Sequence, residues 1–229
     1  MRGFFIVFLV LFWGGLATAG PWPRDKGRSF VTVGLTGQTA SLWAERGIGQ
    51  GRWLALDGWY DTRSNSWSIA ASYHKAMRDR GGLKLAWFAG VAVGMPDTDL
   101  AISVPVIRFP ATWQAVVKVR PVISARLGLS LGKALARPWP GWATLDMRID
   151  LSPAGTRAKA EATIGYRPRE RLALIGQMQA EAGHGRHPDL HLAGSVVWKA
   201  GKRVQMELGL RQNLRGGRPQ IKAASWLEF

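Results

Sequence analysis

There is no cysteine in this chain of 229 residues. That excludes a disulfide framework, thiolate catalysis and a lipoprotein anchor. Acidic residues are scarce, 15 against 31 Lys and Arg, which leaves a formal net charge of +16. After residue 20 no apolar run is long enough to cross a bilayer as a helix. The rest of the chain is therefore either soluble or crosses a membrane as strands. The Gly-rich pairs Gly81-Gly82 and Gly216-Gly217 read as turns, and none has phosphate-loop spacing. Apolar content of 47% argues against global disorder, and the length suits one domain.

What is present begins with an export signal over residues 1–19. Arg2 supplies a short basic region, Phe4 to Trp13 an unbroken apolar run, and Ala17-Thr18-Ala19 a small-residue cleavage site. A mature chain starting at Gly20 is expected, with a β-domain over 20–229. A basic balance suggests a polyanionic partner. Export argues against nucleic acid and points to lipopolysaccharide, anionic phospholipid or a small anionic solute.

The mature chain carries short runs of two-residue period between turn residues. Twelve strands are expected, over 28–37, 39–46, 52–61, 66–77, 83–94, 118–134, 141–151, 156–166, 170–181, 189–199, 202–212 and 219–229. Over 141–151, Leu145, Met147, Ile149 and Leu151 alternate with Thr144, Asp146, Arg148 and Asp150. Read as helices, such runs would put charges on an apolar stripe. Short links such as Arg167-Pro168-Arg169 and Ala200-Gly201 imply an antiparallel meander. The exception is 95–117, with Pro96, Pro105 and Pro110, expected to be a long loop with one extra extended piece at most.

The fold expected is an all-β, antiparallel, up-and-down transmembrane barrel with its apolar face outward. The polar face carries bulky charges strand after strand, which a wet lumen can hold. Many apolar-face residues are too small to fill a sandwich core. Tyr166, Trp198 and Phe229 fall at one level on the apolar face, where a membrane-interface girdle belongs.

The chain ends Ile221-Lys222-Ala223-Ala224-Ser225-Trp226-Leu227-Glu228-Phe229. A terminal strand closing on Phe229, with Leu227 on the same face, resembles the assembly signal of bacterial outer-membrane barrels. Trp22-Pro23-Arg24, Gly27 and Phe30, then 188–198, Glu207-Leu208-Gly209-Leu210 and 225–229, are similar to a group of alphaproteobacterial outer-membrane barrel proteins. The resemblance implies an exported barrel in the cell outer membrane, inserted by the barrel-assembly machinery, with outer-membrane lipid and lipopolysaccharide around it. It supplies no catalytic residues.

Strand parity sends thirteen cations inward: Arg28, Lys84, Lys118, Arg120, Arg126, Arg148, Arg157, Lys159, Arg171, Lys199, Arg203, Arg211 and Lys222. It sends ten acids inward: Glu45, Asp57, Asp61, Asp146, Asp150, Glu161, Glu181, Asp189, Glu207 and Glu228. The lumen is then close to neutral, with Asp146 or Asp150 expected to pair with Arg157 or Lys159 across the 152–155 turn.

No enzyme site stands out. His184, His187, His191 and Asp189 could be drawn as a metal cluster; a polar loop with one lumen-facing histidine is the simpler reading. Ser195 and His191 lie on one strand face roughly 13 Å apart, too far to act on each other. The twelve Trp read as membrane-interface anchors and lumen packing before they read as stacking platforms. No cofactor or metal is expected. The function expected is a narrow small-solute channel, or a structural barrel with a charge-lined lumen. The alternatives are a membrane-embedded enzyme acting on lipid or lipopolysaccharide, and a soluble periplasmic protein binding an apolar ligand.

Overall fold

The computed structural model describes residues 21–77, 79, 81–95, 100–104, 113–117, 121–136, 138–183 and 188–229. The strands are β1 (Ser29–Thr36), β2 (Thr39–Gly49), β3 (Arg52–Asp61), β4 (Ser66–Ala76), β5 (Leu83–Met95), β6 (Leu100–Val104), β7 (Trp113–Val117), β8 (Val122–Leu135), β9 (Gly141–Ser152), β10 (Gly155–Arg169), β11 (Leu172–Gly183), β12 (Asp189–Lys199), β13 (Val204–Asn213) and β14 (Gln220–Glu228). Twelve of them form one closed antiparallel barrel in the order β1-β14-β13-β12-β11-β10-β9-β8-β5-β4-β3-β2. Sequence neighbours pair with each other, as short links require. The segment expected to be an export signal, residues 1–19, lies outside the described residues.

Closure comes from the two ends of the barrel chain. Ser29 N–H donates to the Phe229 carbonyl at 3.0 Å, and Phe229 N–H donates to the Ser29 carbonyl at 2.9 Å. Seven further residue pairs, from Phe30 opposite Glu228 to Thr36 opposite Lys222, continue the seam. A closed sheet has no edge, so its backbone groups find partners without water.

The rim that holds both Pro21 and Phe229 is called the terminal end, and the opposite rim the far end. Turns at the terminal end include Gln50-Gly51, both at positive φ (56° and 69°). That backbone suits the tight primed turn whose twist matches its strands. The longest excursion, between β5 and β8, leaves the far end.

Two strand boundaries differ from the sequence reading with clear causes. The 95–117 region holds two strands rather than one extended piece: β6 and β7 pair only with each other. Their apolar, β-branched runs satisfy each other's backbone groups. At β10 the register shifts between Tyr166 and Arg169, so the strand continues through Arg167-Pro168-Arg169. The turn moves on to Glu170-Arg171, which places Arg171 in a turn rather than on a strand face.

The outer wall is apolar. Val33, Leu35, Leu54, Ile69, Val91, Ile123, Leu127, Ile164, Leu192 and Leu208 are all exposed large hydrophobics on the outward parity. A surface of this kind on a closed barrel needs a lipid environment. Small residues opposite one another, such as Ala160 and Ala180, continue that wall.

Candidate functional site: the barrel lumen

The inner face changes character along the barrel axis. Near the terminal end it is aromatic and aliphatic. Phe30, Trp142, Ala173, Ile175, Val197 and Trp226 form one buried cluster, with Trp22, Trp43 and Ala224 packed against it. Phe30 and Trp226 meet edge to face at 6.1 Å between ring centroids. Each residue sits within a few positions of its strand's terminal-end limit, so the cluster is a plug across that end.

The plug is completed by the segment before β1. Pro21 is fully buried. Its ring and the Trp22 ring lie against Gly132 of β8, where any Cβ would collide with Pro21. Arg24 holds the segment in place. Its guanidinium pairs with Glu45 at 2.8 Å, reaches Glu228 at 4.0 Å and stacks on the Phe30 ring at 4.6 Å. Glycine is required again at Gly165, because the Trp142 ring occupies the place of its missing side chain.

The sequence reading gave the Trp both membrane-interface and lumen-packing roles without dividing them. Trp43, Trp53, Trp142 and Trp226 take the second role, on the inward parity they share with the charges. A signal existed: Trp226 alternates in step with Lys222 and Glu228 on β14. Outward aromatics also exist. Tyr73 and Trp87 lie 5.7 Å apart, and Trp139 and Tyr166 5.3 Å apart, all near the terminal end. Trp198 is exposed on the outer wall near the same end, and Phe229 is at the seam.

His74 occupies the floor of the open space beside the plug. Its ring is stacked between Trp53 at 5.0 Å and Phe88 at 4.7 Å, with Trp43 edge-on at 6.2 Å. Ser72 Oγ lies 2.8 Å from its Nε2. It is walled by rings and is not placed as a metal ligand. His184 and His187 lie outside the described residues; His191 is on β12, opposite Gln179 and Asn213. Among the described residues no group of three His, Asp or Glu side chains could hold a metal ion. Ser195 donates to Glu207 at 2.6 Å.

Above the plug lies a cavity of about 420 Å³. Its charged lining comprises Arg24, Arg126, Arg148, Lys159 and Lys222 against Glu45, Asp57, Asp146, Glu161 and Glu207. Two networks cross it. In the first, Arg126 of β8 binds Asp150 of β9 at 2.7 Å and Asp57 of β3 at 2.8 Å. Arg148 binds the same Asp57 at 3.2 Å. In the second, Lys222 of β14 binds Glu207 of β13 at 2.7 Å and the Gln177 side-chain oxygen at 2.6 Å. Gln177 and Gln179 both donate to Glu161, at 3.1 and 2.8 Å.

The expected ladder across the 152–155 turn is not the one formed. Arg157 is in register with Asp150, yet it pairs with Glu181 of β11 at 3.5 Å. Lys159 pairs with Glu161 two residues along its own strand, at 3.4 Å. Asp150 already accepts from Arg126, whose planar fork binds a carboxylate through two nitrogens. That leaves its cross-strand neighbour to find another partner.

The remaining sequence-derived positions divide by height. Asp61 ends β3 at the far end and accepts from Thr39 at 2.7 Å. Asp189 opens β12 opposite Glu181, and Arg211 of β13 faces Ala193. Lys84 sits at the terminal end and pairs with Asp79 at 3.5 Å. Arg28, Lys199 and Arg203 stand at the limits of β1, β12 and β13, also at the terminal end, with Glu228 among them. Lys118 and Arg120 lie outside the described residues. Sequence parity omitted Arg24, because the segment carrying it precedes the first strand.

No protein-family model matches the chain, and no curated protein matches it in sequence. Solved structures do match in shape. A KdgM porin superposes with a TM-score of 0.59 at 9% identity, covering 88% of this chain and 98% of that one. The NanC porin gives 0.57 at 7% identity, with 88% and 98% covered. An outer-membrane channel from Pseudomonas putida F1 gives 0.53 at 9% identity, with 94% and 100% covered. With so little identity the likeness is one of fold, and it agrees with the closed sheet, the apolar wall and the polar interior. The chain shares its fold with these solved outer-membrane barrels: it is a closed barrel of twelve antiparallel strands.

Proposed function

We propose that the protein is a narrow small-solute channel of the outer membrane, constricted by crossed ion pairs and stopped at its terminal end by a plug. One observation carries the reading: a cavity lined by ten charged side chains inside a closed barrel whose outer wall is apolar. The cavity is small, and the charges lining it balance in sign. Such an interior passes small solutes slowly and selects weakly between ions.

Weak preference for anions follows from the rims rather than from the lumen. The charges lining the cavity balance, whereas Arg169, Arg171 and Lys202 crowd the terminal end at or beside its turns. A KdgM porin has been solved in complex with a disordered oligogalacturonate. That property is KdgM's, and here it supports only the class of small anionic solutes. The reading also includes cleavage after residue 19, export through the inner membrane and insertion by machinery that reads Leu227 and Phe229. The terminal end then faces the periplasm.

Single-channel recording of the refolded protein in planar bilayers tests the proposal. Small unit conductance with slight anion preference is expected. A large, strongly cation-selective conductance would overturn it. Heat-modifiable migration on detergent gels is a separate check on membrane insertion of the barrel.

A further inference from the structure

The positive charge of this chain is not spread evenly over the molecule. Within the lumen, cations and acids offset one another. The excess gathers at the terminal end, and one part of it points outward, toward lipid. Arg46 of β2, Arg52 of β3, Lys75 of β4 and Lys133 of β8 all continue the apolar parity of their strands. Arg46 follows Leu42 and Ala44, Arg52 precedes Leu54 and Leu56, Lys75 follows Ala71 and Tyr73, and Lys133 follows Leu129 and Leu131. Each cation lies within three positions of its strand's terminal-end limit.

Their neighbours fix the height. Lys75 stands directly opposite Trp87, which meets Tyr73 at 5.7 Å. Paired outward aromatics mark the boundary between hydrocarbon and headgroup. Lys75 also stands directly opposite Arg52. Two like charges in register on one face repel each other. Arg52 donates from Nε to the Gly49 carbonyl at 3.3 Å and from a terminal nitrogen to the Gln50 side-chain oxygen, which leaves its charge without a counter-ion. Neither Arg52 nor Lys75 forms an ion pair among the described residues, and the same holds for Arg46 and Lys133. An acidic side chain nearby would relieve the repulsion, and the described outer wall supplies none there.

We infer that this patch over β2–β5 and β8 is a binding site for anionic phospholipid, with the lipid phosphate seated between Arg52 and Lys75 and the acyl chains along Leu54, Tyr73 and Trp87. A phosphate between the two cations turns their repulsion into a clamp. Long basic side chains at this height also keep their stems on apolar surface while their heads reach the phosphate layer. A soluble anion would not need the cations on the lipid-facing parity; turn positions such as Arg171 would serve it equally. The inference rests on the outer-membrane barrel reading, and it names the lipid class held at the terminal-end leaflet.

The test uses the protein's own tryptophans in vesicles of brominated lipids, whose bromine quenches indole fluorescence on contact. Brominated phosphatidylglycerol should compete into contact with the barrel better than brominated phosphatidylcholine. Each headgroup-level cation contributes about a fivefold preference for an anionic lipid. The double variant Arg52→Gln, Lys75→Gln should lose most of that preference. Arg215→Gln with Arg218→Gln, at the far end, should keep it. Equal preference in the wild type and the double variant would overturn the inference. So would loss of the preference on adding inorganic phosphate at constant ionic strength, which would mark a general anion site. Should the double variant fail to fold, Lys133→Gln alone must lower the preference. A wild-type protein that never enters vesicles, shown by unquenched fluorescence and no heat-modifiable band, would instead refute the barrel reading beneath it.

Discussion

Arg126 and Asp57 meet at 2.8 Å although they stand on β8 and β3, with β4 and β5 between them in the wall. The bond is a chord across the barrel. It also recruits Arg148, whose guanidinium shares the same carboxylate oxygen. Arg126 is the most enclosed member, with its side chain 5% exposed.

Arg126→Gln should therefore be costly. Two carboxylates, Asp57 and Asp150, would lose their fork partner, and breaking an enclosed pair from one side costs about 3 kcal/mol. Arg157→Gln should cost under about 1 kcal/mol, because Arg157 and Glu181 are each roughly 40% exposed. Urea titration in detergent micelles measures both. Equal costs would remove the chord as a structural element.

On the channel reading, the plug should set the conductance. Replacing Trp22 and Arg24 together by Ala should open the terminal end, since Trp22 packs on the buried cluster and Arg24 ties the segment to Glu45. Unit conductance in planar bilayers should rise while heat-modifiable migration stays unchanged. Trp142→Ala should open it too, but at about 3 kcal/mol of stability. No change in conductance with either variant would show that the segment does not obstruct the path.

The two faces should respond oppositely to charge. Leu192 and Leu208 are 50% and 52% exposed on the outer wall. Arg at either position near mid-height should cost roughly 2–4 kcal/mol, the penalty for a cation facing hydrocarbon. Lys159→Gln, on the inward face, should fold nearly normally. The reverse pattern would turn the barrel inside out.

Deleting Phe229 removes the two backbone hydrogen bonds with Ser29 that close the seam. Each contributes about 1 kcal/mol net. The larger effect expected is on assembly: reduced outer-membrane insertion with export across the inner membrane preserved, measured by membrane fractionation. Normal insertion would count against Phe229 as an assembly signal.

Sequence by itself determined the barrel. A two-residue period is a property of the strand backbone, so alternation of Leu145, Met147 and Ile149 with Asp146, Arg148 and Asp150 assigns sides without any knowledge of neighbours. Short links then force each strand beside the next, and with so many strands the sheet closes on β1 and β14. Parity placed Asp57, Arg126 and Lys222 on the face that lines the cavity. What parity lacks is height and angle around the barrel. It treats Trp226 and Lys222 as equivalent, although one belongs to the plug and the other to the polar cavity. It pairs Asp150 with Arg157, in register on β10, whereas the carboxylate is taken by Arg126, equally in register on β8, whose fork also reaches Asp57 across the lumen. It is silent about Pro21 to Arg24, which fold back inside only because Glu45, Phe30 and Gly132 are brought to one level by closure. Those relationships depend on the stagger of a closed sheet, a quantity set by all twelve strands together and carried by no one of them.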